Sequence, residues 1–156
     1  MRKKAGAANS SSEVCFATAV RKASRRMTQL YDDALDPSGL KSTQFAILHE
    51  IATRGDAPPT MGELAESLVM DRSALGHNLR PLERDKLLAL EASEADGRRK
   101  LVALTAKGRA RYGAAAPLWQ RGQDRFAAVF GKAAASSLRA TLLAIAHEER
   151  LAQLAD

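Results

Sequence analysis

Met70-Asp71-Arg72-Ser73-Ala74-Leu75-Gly76-His77-Asn78-Leu79-Arg80-Pro81-Leu82-Glu83-Arg84 is the stretch on which the fold turns. It reads as a helix. A short carboxylate at the start, Asp71, can accept a hydrogen bond from a free N–H of the first turn. At about 3.6 residues per turn, Leu75, Leu79 and Leu82 fall on one side with Asn78 beside them. Ser73, Gly76, His77, Arg80 and Arg84 fall on the opposite arc. One face is built for burial. The other offers hydroxyl, imidazole and guanidinium groups, with a glycine that lets the backbone come close to a surface. Taken alone, the stretch would pass for a solvated amphipathic helix. Its flanks decide otherwise.

Upstream, Thr60-Met61-Gly62-Glu63 fits a capping box, a hydroxyl at the cap and a carboxylate three residues on. A helix then runs through Leu64 and Ala65 to Leu68. Only Val69 and Met70 separate it from the first stretch, so the pair reads as a helix-turn-helix. Before it, Ser42 or Thr43 opens a helix with Phe45, Leu48, Ile51 and Ala52 as its apolar side; Gly55 ends it, ahead of the Asp56-Ala57-Pro58-Pro59 loop. Pro81 removes an N–H from the later helix, so a kink or tightened turn is expected there, or an end at Arg80.

Downstream, Lys86–Glu91 and Lys100–Leu104 read as strands joined by a polar loop with Gly97 at its tip. Thr105-Ala106-Lys107-Gly108 opens a long helix to Phe130, with Pro117 bending it and Gly108, Gly113 and Gly122 weakening it. Gly131 breaks it, and a last helix is expected from Ala133 to about Leu154. At the other end, Glu13 to about Leu35 reads as a helix: Val14, Ala17, Val20, Ser24, Met27 and Tyr31 recur at three- and four-residue steps. Arg21, Lys22, Arg25 and Arg26 share its other side. Asp36-Pro37-Ser38-Gly39 stops it.

A length of 156 residues, 46% hydrophobic and 27% charged, suits one globular domain with a helical extension. The net charge of +6 sits wholly in residues 1–26, which hold seven basic side chains and one acid. Bulk charge is therefore no argument for nucleic-acid binding. Residues 1–12 are expected to be a disordered basic arm, with no apolar run to make a secretion signal. No stretch approaches the ~18 apolar residues of a membrane span. The single cysteine excludes an internal disulfide framework and suits a reducing cytoplasm. The terminal helices carry more apolar surface than a small core can cover, and a second copy of the chain is the simplest cover.

The order of these parts resembles the MarR family of bacterial transcription regulators, over roughly residues 14–154. The resemblance rests on Phe45 to Arg54, Glu63-Leu64-Ala65, Asp71-Arg72-Ser73, Leu79-Arg80-Pro81-Leu82-Glu83-Arg84, and above all Asp96-Gly97-Arg98-Arg99-Lys100-Leu101-Val102-Ala103-Leu104-Thr105-Ala106-Lys107-Gly108. It implies a mainly α fold with a small β-wing. Residues 40–105 would form a winged helix-turn-helix DNA-binding domain, and 13–36 with 106–154 a helical dimerisation region. The implied function is that of a homodimeric repressor on a pseudo-palindromic operator in double-stranded DNA. A small organic effector, aromatic or phenolic, would release it. Carried over residue by residue, Thr60, Arg72, Ser73, Gly76, His77 and Arg80 are candidate base or phosphate contacts. Arg98 resembles the wing arginine of the minor groove, Asp96 the carboxylate that orients it, and Arg99 and Lys100 would meet flanking phosphates. A guanidinium suits both guanine acceptors in the major groove and the negative potential of a narrow minor groove. Val69 stands where many helix-turn-helix turns carry glycine, so an αR or extended turn is expected.

The resemblance also implies a ligand pocket, with Cys15, Ala19, Phe45, Leu48, His49 and Trp119 as candidate lining residues. Cys15, near the start of the first helix, is similar to the single cysteine of peroxide-sensing relatives, so a thiol-based repressor is the alternative. A winged helix used only for protein contacts is the rival of another class. An enzyme is not expected: His49, His77 and His147 are scattered, and no phosphate loop or zinc-binding cysteine pair is present. No cofactor or metal is implied.

Overall fold

The computed structural model describes residues 15–92 and 99–152. Helix α1 (Phe16–Leu35) leads through a 3₁₀ turn (Asp36–Ser38) to α2 (Ser42–Ala52), α3 (Met61–Ser67) and α4 (Arg72–Arg84). Strands β1 (Leu88–Ala92) and β2 (Lys100–Leu104) follow, then α5 (Ala106–Phe130), α6 (Lys132–Ala146) and a 3₁₀ turn (Glu149–Ala152). The fold is the mainly helical winged helix that the sequence led us to expect. No single helix among the described residues is long and apolar enough to cross a membrane.

The core lies where α2, α3, α4 and the hairpin meet. Leu48, Leu64, Leu75, Leu82 and Val102 are fully enclosed there. The strands pair antiparallel, Leu88 opposite Leu104 and Ala92 opposite Lys100. A bridge between Thr60 and Leu101, and a bond from Val102 N to Pro59 O at 2.8 Å, tie the segment before α3 to β2. The wing is thereby anchored to the helix-turn-helix through backbone.

Two turns depart from expectation. Val69 lies in the left-handed region, φ 52°, and not in an αR or extended turn. Its N–H donates to Glu66 O at 3.0 Å, and the Met70 N–H to Ala65 O at 2.8 Å. This is a Schellman end of α3 built without glycine. Lys86, φ 58°, ends α4 in the same way: its N–H reaches Glu83 O at 2.9 Å and the Leu87 N–H reaches Leu82 O at 2.8 Å. The buried pair Leu82 and Leu87 supplies the apolar contact of that motif. Lys86 therefore belongs to a turn, and β1 starts at Leu88, not Lys86.

The helix does not end at Arg80: α4 continues through Pro81 to Arg84, with Leu79 and Leu82 on either side of the proline both buried. Gly108 has a role that helix propensity does not suggest. A Cβ there would stand 1.8 Å from the Leu87 carbonyl oxygen. Thr105 caps α5 through Gly108 N at 2.9 Å, and its hydroxyl donates to Lys86 O at 2.7 Å. The Leu104-Thr105-x-x-Gly108 pattern thus clamps the start of α5 onto the end of α4. The last helix was expected to run to about Leu154; α6 ends at Ala146, and Leu154 lies outside the described residues. Beyond the end, the Glu148 carboxylate accepts from Arg150 N at 3.1 Å, a side chain competing for backbone.

Helix α1 runs antiparallel to α5, with Ser38 O held by Arg111 Nη1 at 2.8 Å and Tyr31 Oη donating to Gln123 Oε1 at 2.7 Å. A Cβ at Gly122 would meet the Tyr31 ring at 2.9 Å, so this glycine allows the close pairing.

Candidate nucleic-acid interface

Asp71 fixes the start of α4: its Oδ1 accepts from Ala74 N at 2.7 Å. Leu75, Leu79 and Leu82 are buried against α2 and α3, so the opposite arc must face out. Ser73, His77, Arg80 and Arg84 are all exposed on it, and Arg72, at the first turn and nearer the leucine side, is exposed as well. Nothing lies within 4 Å of a Cβ built at Gly76, so internal packing does not demand that glycine. It leaves a gap in the side-chain wall beside Ser73 and Arg80, its i−3 and i+4 neighbours. Asn78 is not part of the outer face; its Nδ2 donates back to Ala74 O at 2.8 Å.

Thr60 caps α3, and its side chain is engaged on both sides. Its Oγ1 accepts from Glu63 N at 3.2 Å and donates to Glu63 Oε2 at 2.9 Å. Arg72 reaches from α4 across the first turn of α3, where a Cβ on Gly62 would stand 3.4 Å from its Nη2. Arg99 and Lys100 are exposed at the foot of the wing. Asp96 and Arg98 lie outside the described residues. The Thr60–Leu101 bridge connects the start of α3 to the wing root, and Arg72 of α4 reaches the same turn of α3. Such an arrangement presents donors and cations to a polyanion while keeping an apolar ridge behind it.

Of the six residues considered for a ligand pocket, three converge. Phe45 and His49, one turn apart on α2, stack with Trp119 of α5, ring centroids 5.7 Å from each. Tyr112 joins them: its hydroxyl lies 2.9 Å from His49 Nδ1, and its ring 5.5 Å from Phe45. A cavity of about 320 Å³ opens beside this stack, lined also by Tyr31, Ser42 and Glu50. Burial pushes the Tyr31 phenol above its ordinary range. Leu48 is fully buried in the core behind the cavity. Cys15 and Ala19 are exposed at the start of α1 and do not line it. Tyr112, which the sequence reading does not include, stands seven residues before Trp119 and so shares its helix face. The Cys15 thiol is lowered by hydrogen bonds to Thr18, side chain first and backbone second, with Arg21 adding a small coulombic pull.

The outer helices show a different surface. Phe16 is 90% exposed, Val129 70% and Phe130 60%. Leu138, Leu142, Leu143 and Ile145 of α6 are also exposed.

A family model described as the MarR family matches residues 38–99. Among solved structures, the M. tuberculosis transcriptional regulator MosR in complex with DNA is 36% identical, with 90% of this chain and 99% of that one covered and a TM-score of 0.79. The transcriptional repressor CouR bound to a 23-mer DNA duplex is 26% identical over 86% of this chain and 94% of that one, TM-score 0.76. The S. aureus MepR–DNA complex shares the fold at 21% identity, with 84% and 96% covered and a TM-score of 0.73. No curated protein matches the chain.

Proposed function

The chain belongs to the MarR family of DNA-binding transcriptional regulators, and from that premise we propose that it is a cytoplasmic homodimeric repressor released from its operator by a small organic ligand. The observation that carries the reading is the division of α4: leucines enclosed on one side, Ser73, His77, Arg80 and Arg84 exposed on the other. In this reading α4 enters the major groove. Ser73, His77 and Arg80 meet base edges, and Gly76 lets the helix backbone approach. Arg72, Thr60, Arg99 and Lys100 meet phosphates, and Arg98 with Asp96 reads the minor groove from the wing tip.

Two copies are needed for a pseudo-palindrome. The exposed apolar residues of α1, α5 and α6 supply a surface for the second copy, in a region comprising 13–36 and 106–154. Residues 40–105 form the reading head. The aromatic cavity between α1, α2 and α5 lies at the junction of these regions. A planar ligand there would act through differential affinity for two head spacings, only one of which matches half-sites about one helical turn apart. CouR has also been solved with p-coumaroyl-CoA, at 24% identity to this chain. Phe45, His49 and Trp119 offer stacking faces for an aromatic group.

Gel shift with the DNA upstream of the chain's own gene, repeated across salt concentrations, tests the reading. Binding that falls steeply with salt is expected, because phosphate contacts release counterions. No shift, or a flat salt response, would refute it. A second reading is favoured by the exposed, hydrogen-bonded Cys15: oxidation of that thiol releases DNA. Cys15→Ser that keeps normal peroxide response in the same gel shift would dismiss it.

A further inference from the structure

We infer that the cavity between α1, α2 and α5 selects an aromatic organic cation, a ring carrying an amine or quaternary ammonium, over an aromatic acid. The inference rests on the reading of that cavity as the effector site and names the chemistry of its occupant. A volume of about 320 Å³ admits a ring with a short side arm. Phe45, His49 and Trp119 bring ring systems to the lining, and Tyr31 and Ser42 bring hydroxyls. Glu50 is the one acid of the described lining, and no lysine or arginine joins it there. An aromatic acid would bury its carboxylate beside another carboxylate, with no cation on the wall to pair it, and an unpaired buried charge is costly. An ammonium meets the reverse: a carboxylate for its charge and π-systems around it.

The cations nearby are engaged or stand outside. Arg54 gives both Nε, at 3.3 Å, and Nη2, at 3.1 Å, to Glu50 Oε1. Glu50 Oε2 has no hydrogen-bond partner among the described residues. The Glu50 side chain is only 28% exposed, so water screens its charge poorly. Lys41 lies 3.7 Å from Asp32 Oδ2, while Asp32 Oδ1 takes the Ser42 N–H at 2.7 Å. A second carboxylate thus stands next to Ser42 of the lining. Burial raises the Tyr31 phenol, with Arg139 of α6 pulling the other way from outside the lining. The phenol is therefore neutral, and because its hydroxyl donates to Gln123 its oxygen remains an acceptor. His49 Nδ1 is taken up by the Tyr112 hydroxyl at 2.9 Å.

Trp119 is the only tryptophan of the chain and lines the cavity, so its fluorescence reads binding without DNA. The probes share a ring and differ in the end group: 4-phenylbutylamine, 4-phenylbutanol and 4-phenylbutanoate. At about pH 8 the amine and the acid are charged and an ordinary imidazole is neutral. We expect the full chain to bind the amine about 5-fold more tightly than the alcohol, and about 10-fold or more tightly than the acid. Glu50→Gln keeps an acceptor for Arg54 and removes the charge. It should weaken the amine about 3- to 5-fold, leave the alcohol unchanged and strengthen the acid. An acid that binds wild type as tightly as the amine would overturn the inference, and so would an amine preference undiminished in Glu50→Gln. The wild-type order is decisive by itself if the variant disturbs the pocket. Quenching by none of the three would overturn the inference together with the effector-site reading. The repressor reading fails separately: an amine that binds in this order without releasing a selected duplex sustains the inference and removes ligand release.

Discussion

The head and the outer helices of this molecule solve burial in opposite ways. Fourteen of the sixteen buried hydrophobic residues described lie between Leu40 and Leu104, and only Leu35 and Ala115 lie outside. Nine of the ten exposed large hydrophobics described lie on α1, α5, α6 or the turn after α6; the exception is Val69. The head has its own core and projects a polar helix from it. The outer helices pair with each other mainly through α1 and α5 and leave α6 without a buried residue. The difference teaches that the same hydrophobic content can serve two ends. In the head it fixes the geometry of a reading surface. In the outer helices it remains available for association.

The sharpest way to break the comparison is Leu142→Glu on α6. If its exposed face is covered by a second copy, a buried unpaired carboxylate should raise the dimer dissociation constant about 100-fold or more. Light scattering would then show monomer at concentrations where wild type is dimeric, and an unchanged mass would refute the dimer face. Next in size is Gly108→Ala, which acts on the head. The added methyl meets the Leu87 carbonyl, and we expect a loss of about 3 kcal/mol in denaturant unfolding. A loss below about 0.5 kcal/mol would contradict the close approach.

Arg80→Ala should leave unfolding unchanged, because Arg80 is exposed, and weaken binding to a selected operator about 10-fold or more. Undiminished affinity in gel shift would remove it from the interface. The smallest effect is expected at Val69→Gly. A β-branched residue in the left-handed region costs about 1–2 kcal/mol, offset in part by the entropy of the new glycine. A net stabilisation of about 0.5–1 kcal/mol should appear in denaturant midpoints; destabilisation would mean that the Val69 side chain holds the turn.

The elements of the head were legible because their signals are local. Asp71 and Thr60 cap as their types suggest, and Leu75, Leu79 and Leu82 recur at the helical period and are buried. The two turns escape local signals for the same reason. Val69 and Lys86 adopt a conformation for which sequence usually supplies glycine, and there the surrounding packing overrides local preference. Gly108 looked like a weak point of α5 because its partner, Leu87, is twenty-one positions away in the chain. The aromatic stack was half legible. Phe45 and His49 are one turn apart, but Tyr112 comes from a helix whose packing against α2 no local pattern reveals. The tie between the segment before α3 and the wing was not legible, since only the Thr60–Leu101 bridge brings them together.

The central claim is that two copies of the chain present α4 and the wing to one duplex. Light scattering of the chain alone and bound to a duplex it has selected tests this most directly. The account predicts a dimer in both samples, with two chains on each duplex. A single chain on the duplex, drawn from a monomeric protein, would contradict it.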